Sequence, residues 1–215
     1  MTITQREEEN FQAEIGDFHA QHFEDQCYPA AVKNIVDRLA DRKDKNGMSM
    51  SLSDVNDVCG YKRGLQCEED LIPERLTNEI TEYGYETVVE TAPEMNLDKL
   101  DNIIEDDSTS LPIVELDPTY FDEVAERVDG YHPQPSVERE LAHVVIPYKV
   151  NSEEILYYDP YETYHKKQPG VEDAPYRWPL MNFVELWSGD YEERWTLWLA
   201  RRGYELTDID GTSED

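Results

Sequence analysis

The sequence predicts an α+β fold, with helices in its N-terminal part and an antiparallel sheet in its C-terminal part. Three observations carry this. Apolar residues recur at i, i+3, i+4 spacing in several segments before residue 105. Past residue 140 the pattern changes to β-branched and aromatic runs divided by turn residues. The strands do not alternate regularly with helices, as an α/β fold would require.

The elements follow in order. Phe11, Ile15 and Phe18 suit a short amphipathic helix. From Cys27 a stronger helix is expected. Pro29 falls in its first turn, where a missing N–H costs nothing, and Val32, Ile35, Val36 and Leu39 share one face. Asn46-Gly47 should end it. Ser53 is the expected cap of a short helix carrying Val55 and Val58, stopped by Gly60. Pro73 opens another, with Leu76, Ile80 and Tyr83 on one face and Gly84 at its end. Residues 85–91 read as a strand, and Leu97, Leu100 and Ile104 as a further helix. LPIVEL at 111–116 reads as a buried strand. A helix is expected over 118–129 and a loop over 130–137. Strands are expected over 141–150 and 155–159, joined by a turn at Asn151-Ser152. Pro179 begins a short helix through Val184 and Trp187. RWTLWL at 194–199 gives the last strand. The organisation expected is an N-terminal segment (1–14), one domain (15–204) and an acidic frayed tail (205–215).

The chain has 215 residues, enough for one domain whose core needs no disulfides. Its 49 acidic and 19 basic residues leave a net charge of −30. That charge excludes a simple nucleic-acid binder, which needs Lys and Arg for phosphates, and argues against docking on anionic membranes. The 39% hydrophobic content argues against disorder. The acid is spread along the chain rather than gathered in one tail. Even dispersion with few lysines resembles the composition of proteins from salt-in halophilic archaea or their viruses. Self-repulsion at this charge destabilises a compact state in dilute buffer. Molar salt, with a Debye length of about 3 Å, screens most of it. The opening MTITQREEEN lacks the basic and apolar regions of a signal peptide, so a cytoplasmic location is expected. Three cysteines, Cys27, Cys59 and Cys67, make no disulfide framework and are expected as thiols.

Four residues stand out by context. Cys27 starts the strongest helix, and a helix N-terminus favours a thiolate through its dipole and open N–H groups. Gln21, six residues upstream, is a neutral amide donor. His143 begins one strand and Asp159 ends the next. Adjacent antiparallel strands can bring those two ends together, so that the carboxylate orients the imidazole. Singly, each has a plainer reading: a small core thiol, a strand-end histidine, a turn carboxylate and a surface amide. Their joint spacing is what points to nucleophilic catalysis. His19, His22 and Cys27 could be drawn as metal ligands, and so could Cys59 and Cys67, but the seven residues between the latter two exceed the roughly two to four of a zinc knuckle. No EF-hand loop, phosphate loop or Gly-x-Ser-x-Gly elbow is present. Trp187, Trp195 and Trp198 are expected in the core rather than in a ligand cage.

The segments QHFEDQCYPAAVKNIV at 21–36 and HVVIPYKVNSEEILYYDP at 143–160 resemble the papain-like cysteine peptidases. The branch they resemble is that of the bacteriocin-processing peptidases, which cut after double-glycine leaders, with their stand-alone relatives. The resemblance implies a papain-like fold, with the Cys27 helix packed on the C-terminal antiparallel sheet. It implies Cys27 as nucleophile, His143 as base, Asp159 as its orienter and Gln21 as an oxyanion donor. No cofactor and no metal is implied; the partner is a peptide or protein substrate. Tyr28 stands where the family has a small Gly, which is expected to crowd the cleft, and 118–140 looks like an insertion. No transporter segment follows, so coupled export is not implied. The rival expectations are a catalytically silent peptidase-like binding module and a thiol-dependent amidase or acyltransferase.

Overall fold

Cys27 opens α1 (Cys27–Arg42) in a computed structural model of the chain. The structure describes residues 20–21, 26–42, 50–63, 67–84, 86–106, 108–116, 143–160, 176–188 and 194–201. The segments expected at 1–14, 11–18, 118–129, 130–137 and 205–215, and the helix stop at Asn46-Gly47, lie outside the described residues.

In α1 the first intrahelical bond runs from Ala30 N to Gln26 O, at 3.2 Å, so Pro29 in the first turn breaks nothing. Val32, Ile35 and Val36 are buried, as the spacing predicts. Two polar residues are buried beside them, each with a partner. Asn34 Nδ2 donates to Ala30 O at 2.7 Å, and Lys33 pairs with Asp37 one turn on.

The short helix α2 (Leu52–Val58) is capped by Ser51, not by the expected Ser53. The reason is Asp54. It stands three residues after Ser51, takes a bond from Ser51 N at 3.0 Å and donates its own N–H to Ser51 Oγ at 3.2 Å. That reciprocal box satisfies two orphan donors. Gly60 follows at φ +63°, a left-handed conformation that suits glycine.

A turn of 3₁₀ helix (Glu69–Leu71) leads into α3 (Ile72–Glu82), with Pro73 in its first turn. Ile72, Leu76 and Ile80 are buried, but Tyr83 is 44% exposed. Tyr83 is the C-cap, past the last full turn, so it is not on the buried face. Helix α4 (Leu97–Glu105) is capped by Asn96 and buries Leu100, Ile103 and Ile104. Helix α5 (Leu180–Trp187) follows Pro179 as expected.

The strands are β1 (Thr87–Ala92), β2 (Ile113–Leu116), β3 (His143–Val150), β4 (Glu154–Tyr158), β5 (Tyr176–Pro179) and β6 (Thr196–Arg201). Among the described residues they form one sheet in the order β1-β6-β2-β3-β4-β5, each neighbouring pair antiparallel. The fold is therefore α+β. Strand β5 was not expected. It is four residues long and ends in Pro179, tolerable because β5 is an edge.

Helices α1 and α4 pack on β3, α3 packs on β1, and α5 packs against β2, β4 and β5. Phe183 of α5 meets Tyr157 of β4 at 6.1 Å between ring centroids, and Trp187 at 6.2 Å. The β3–β4 connection is fixed by Asn151, whose side-chain oxygen accepts from Glu153 N at 2.8 Å and Glu154 N at 2.9 Å. Among the described residues no helix is long and apolar enough to cross a membrane.

Candidate active site

His143 is the first residue of β3, and Asp159 directly follows the last residue of β4. The pairing Ile146↔Tyr158 lays the start of one strand beside the end of the other. His143 Nε2 lies 2.7 Å from Asp159 Oδ1, and both residues are buried. With Nε2 held by the carboxylate, Nδ1 is the nitrogen left for a third group. Cys27 is a charge and hydrogen-bonding neighbour of the same imidazole.

The electrostatics follow from these contacts. Burial alone would push the imidazole down. The Asp159 carboxylate and its hydrogen bond, with a contribution from Cys27, outweigh burial and hold His143 up at about 10. A buried imidazolium needs a counter-charge, and Asp159 supplies it.

Cys27 is buried at the opening of α1. Helix α1 packs on β3, which brings its first turn to the strand that His143 begins. Residue 26 is fastened to α2, because Gln26 Nε2 donates to Asn56 Oδ1 at 3.2 Å. Gln21 is buried, and its backbone N–H donates to Pro160 O at 2.8 Å. That bond sets Gln21 beside the segment carrying Asp159. The 21–27 segment, His143 and Asp159 thus converge on one region, although more than 100 positions of chain lie between the first and the other two.

Tyr28 is also in the interior. Its ring stands edge-on to Trp195 at 5.9 Å, and its hydroxyl donates to Glu115 Oε2 at 2.8 Å. Burial, and then the Glu115 and Glu69 carboxylates, push the phenol well above its ordinary value of 10. Cys59 is fully buried. Desolvation, reinforced by Cys27 and opposed by Arg75, pushes its thiol up to about 12. A thiol so held is a poor nucleophile. Trp187 and Trp198 are buried in the core, and Trp195 packs partly buried against it. Among the described residues no group of three or more His, Cys, Asp or Glu is placed to hold a metal ion.

Glu115 is the residue that sequence reasoning passed over, as one letter of a buried strand. A signal was available: a carboxylate inside LPIVEL needs a buried partner. Asn56, which holds Gln26, carried no comparable signal.

Compared with protein-family models and with curated proteins, the chain matches none.

Proposed function

We propose that this chain is a cysteine peptidase of papain-like fold, cutting a peptide or protein substrate by acyl transfer through Cys27. The observation that carries the reading is the 2.7 Å contact of His143 Nε2 with Asp159 Oδ1, beside a thiol at the first residue of a helix. Cys27 Sγ, as thiolate, attacks the substrate carbonyl carbon. The S–C bond forms as the π pair moves onto oxygen. The Cys27 N–H and the Gln21 side chain face that oxyanion, each donor contributing about 3–4 kcal/mol. As the C–N bond breaks, His143 Nδ1–H gives its proton to the leaving amine. Water then attacks the thioester carbonyl while Nδ1 takes a proton from it. As the oxyanion pair returns to re-form C=O, the C–S bond breaks, the carboxylic acid departs, and the thiolate is restored beside the imidazolium. Asp159 keeps the other ring proton on Nε2 throughout, so that Nδ1 always faces sulfur.

A second reading, a silent peptidase-like binding module, is favoured by the 8% exposure of Cys27, since a carbonyl must reach the sulfur. Thiol alkylation against pH in molar KCl, each label mapped by peptide mass, separates the two. For the peptidase, Cys27 alkylates well below about pH 8.5, the ordinary thiol value, and loses that reactivity in His143→Ala. If Cys27 instead titrates like Cys67, the catalytic reading fails.

A further inference from the structure

Cys27 and His143 sit on different elements, α1 and β3, and sulfur and imidazole need placement within about 0.5 Å to work as a pair. Each has a neighbour that reaches across. Tyr28 follows the thiol. Glu115 is paired in the sheet with Val144, the residue after His143, while Leu116 is paired with His143 itself. Tyr28 and Glu115 are joined by a buried 2.8 Å hydrogen bond, although 87 positions separate them. Their surroundings are tied down as well. The Glu115 N–H donates to the Trp195 carbonyl at 3.3 Å, and Trp187 Nε1 donates to the same carbonyl at 3.4 Å. The ring of Tyr28 rests on Trp195.

We propose that the Tyr28–Glu115 hydrogen bond is a positioning clamp, fixing the start of α1 against the β2–β3 pair and so setting the distance between Cys27 Sγ and His143 Nδ1. The inference rests on the reading of Cys27 and His143 as a catalytic pair. It makes Tyr28 and Glu115 positioning residues, since neither needs to touch substrate. The phenol, held well above its ordinary value, stays a donor across the working pH range. A bond that merely satisfied two buried polar groups would affect stability when cut and leave the thiol's pH profile alone.

The experiment is alkylation of the full chain by iodoacetamide in molar KCl across pH. It compares wild type, Tyr28→Phe, Glu115→Leu, Glu115→Gln and the double variant that combines Tyr28→Phe with Glu115→Leu. Tyr28→Phe removes the hydroxyl and keeps the ring on Trp195; Glu115→Gln keeps an acceptor oxygen. Cys59 labelling reports the fold, because that buried thiol reacts only when the chain opens. The clamp predicts that the Cys27 rate at about pH 6 falls about tenfold in Tyr28→Phe and in Glu115→Leu. The double variant falls no further than either single one, and Glu115→Gln retains most of the rate. Cys59 stays unlabelled in all of them. If wild type shows the low-pH reactivity and Tyr28→Phe keeps it in full, the clamp is overturned and the catalytic pair stands. If the rate falls only together with new Cys59 labelling, the bond is structural and the clamp is again overturned. If wild type itself shows no low-pH reactivity, the catalytic pair fails, and the clamp with it.

Discussion

His143 Nε2 and Asp159 Oδ1 meet at 2.7 Å across 16 positions of chain, because the Asn151 turn folds β4 back along β3. Removing one partner of such a buried pair leaves the other without its counter-charge, at a cost of about 3–5 kcal/mol. Asp159→Ala is therefore expected to lower the guanidinium midpoint strongly. It should also abolish Cys27 alkylation at about pH 6, since the imidazole loses both its charge partner and its orientation. Asp159→Asn keeps a hydrogen-bonding group and should recover more stability than reactivity. Equal recovery of both would argue that the carboxylate only packs.

The raised His143 value also has a sign that can be measured. In the unfolded chain the imidazole titrates near its model value of 6.5, and in the folded one at about 10. A group raised on folding contributes stability that is fully present below 6.5 and lost as pH climbs towards 10. The cleanest test uses Cys27→Ala, which removes the thiol and leaves Asp159 to hold the imidazole up. Its unfolding free energy should decline from pH 6.5 upward. Over pH 6.5 to about 8.5, below the range of the buried Cys59 thiol, the same decline should be absent when His143→Phe and Asp159→Asn are both added to Cys27→Ala, since Asp159 left alone would itself be an uncompensated buried carboxylate. A flat profile in both would mean that the pair is not charged.

Salt should decide whether the chain folds at all. At a net charge of −30, the melting temperature is expected to rise steeply between dilute buffer and molar KCl. Sodium sulfate at matched ionic strength separates screening from the general salting-out effect. An unchanged melting curve would rule out adaptation to high salt.

Two serines near the start of α2 give a local test. Ser51→Ala removes the cap and should cost about 1 kcal/mol, while Ser53→Ala, on the exposed first turn, should cost almost nothing. The opposite ranking in thermal melts would restore Ser53 as the cap.

That pair also shows where sequence reasoning reaches its limit. A serine before a helix is visible, but choosing between two depends on which has an acid three residues on, and Asp54 favours Ser51. Helix α1 and the β3–β4 hairpin were legible because their signals are local: a 3.6-residue period in one, alternating strands around an Asn turn in the other. The convergence of His143 and Asp159 followed from that hairpin. Strand β5 was not legible, since four residues with one proline show no period. Nor was the partnership of Tyr28 with Glu115, which depends on strand order rather than on neighbouring residues. Tyr83 was misassigned by one helical position, because periodicity does not mark where a helix ends.

The sheet order has a consequence for synthesis. Strand β6 lies between β1 and β2, yet it is the last of the described strands to leave the ribosome. Until then β1 has no partner on that side, and Trp195, on which the ring of Tyr28 rests, has not been made. Such pairing between distant parts of the chain raises contact order and slows folding. A nascent chain with α1 formed would still lack the Trp195 ring against which Tyr28 packs. On the peptidase reading proposed above, the Cys27 thiol would be latent through most of translation and competent only as the sheet closes.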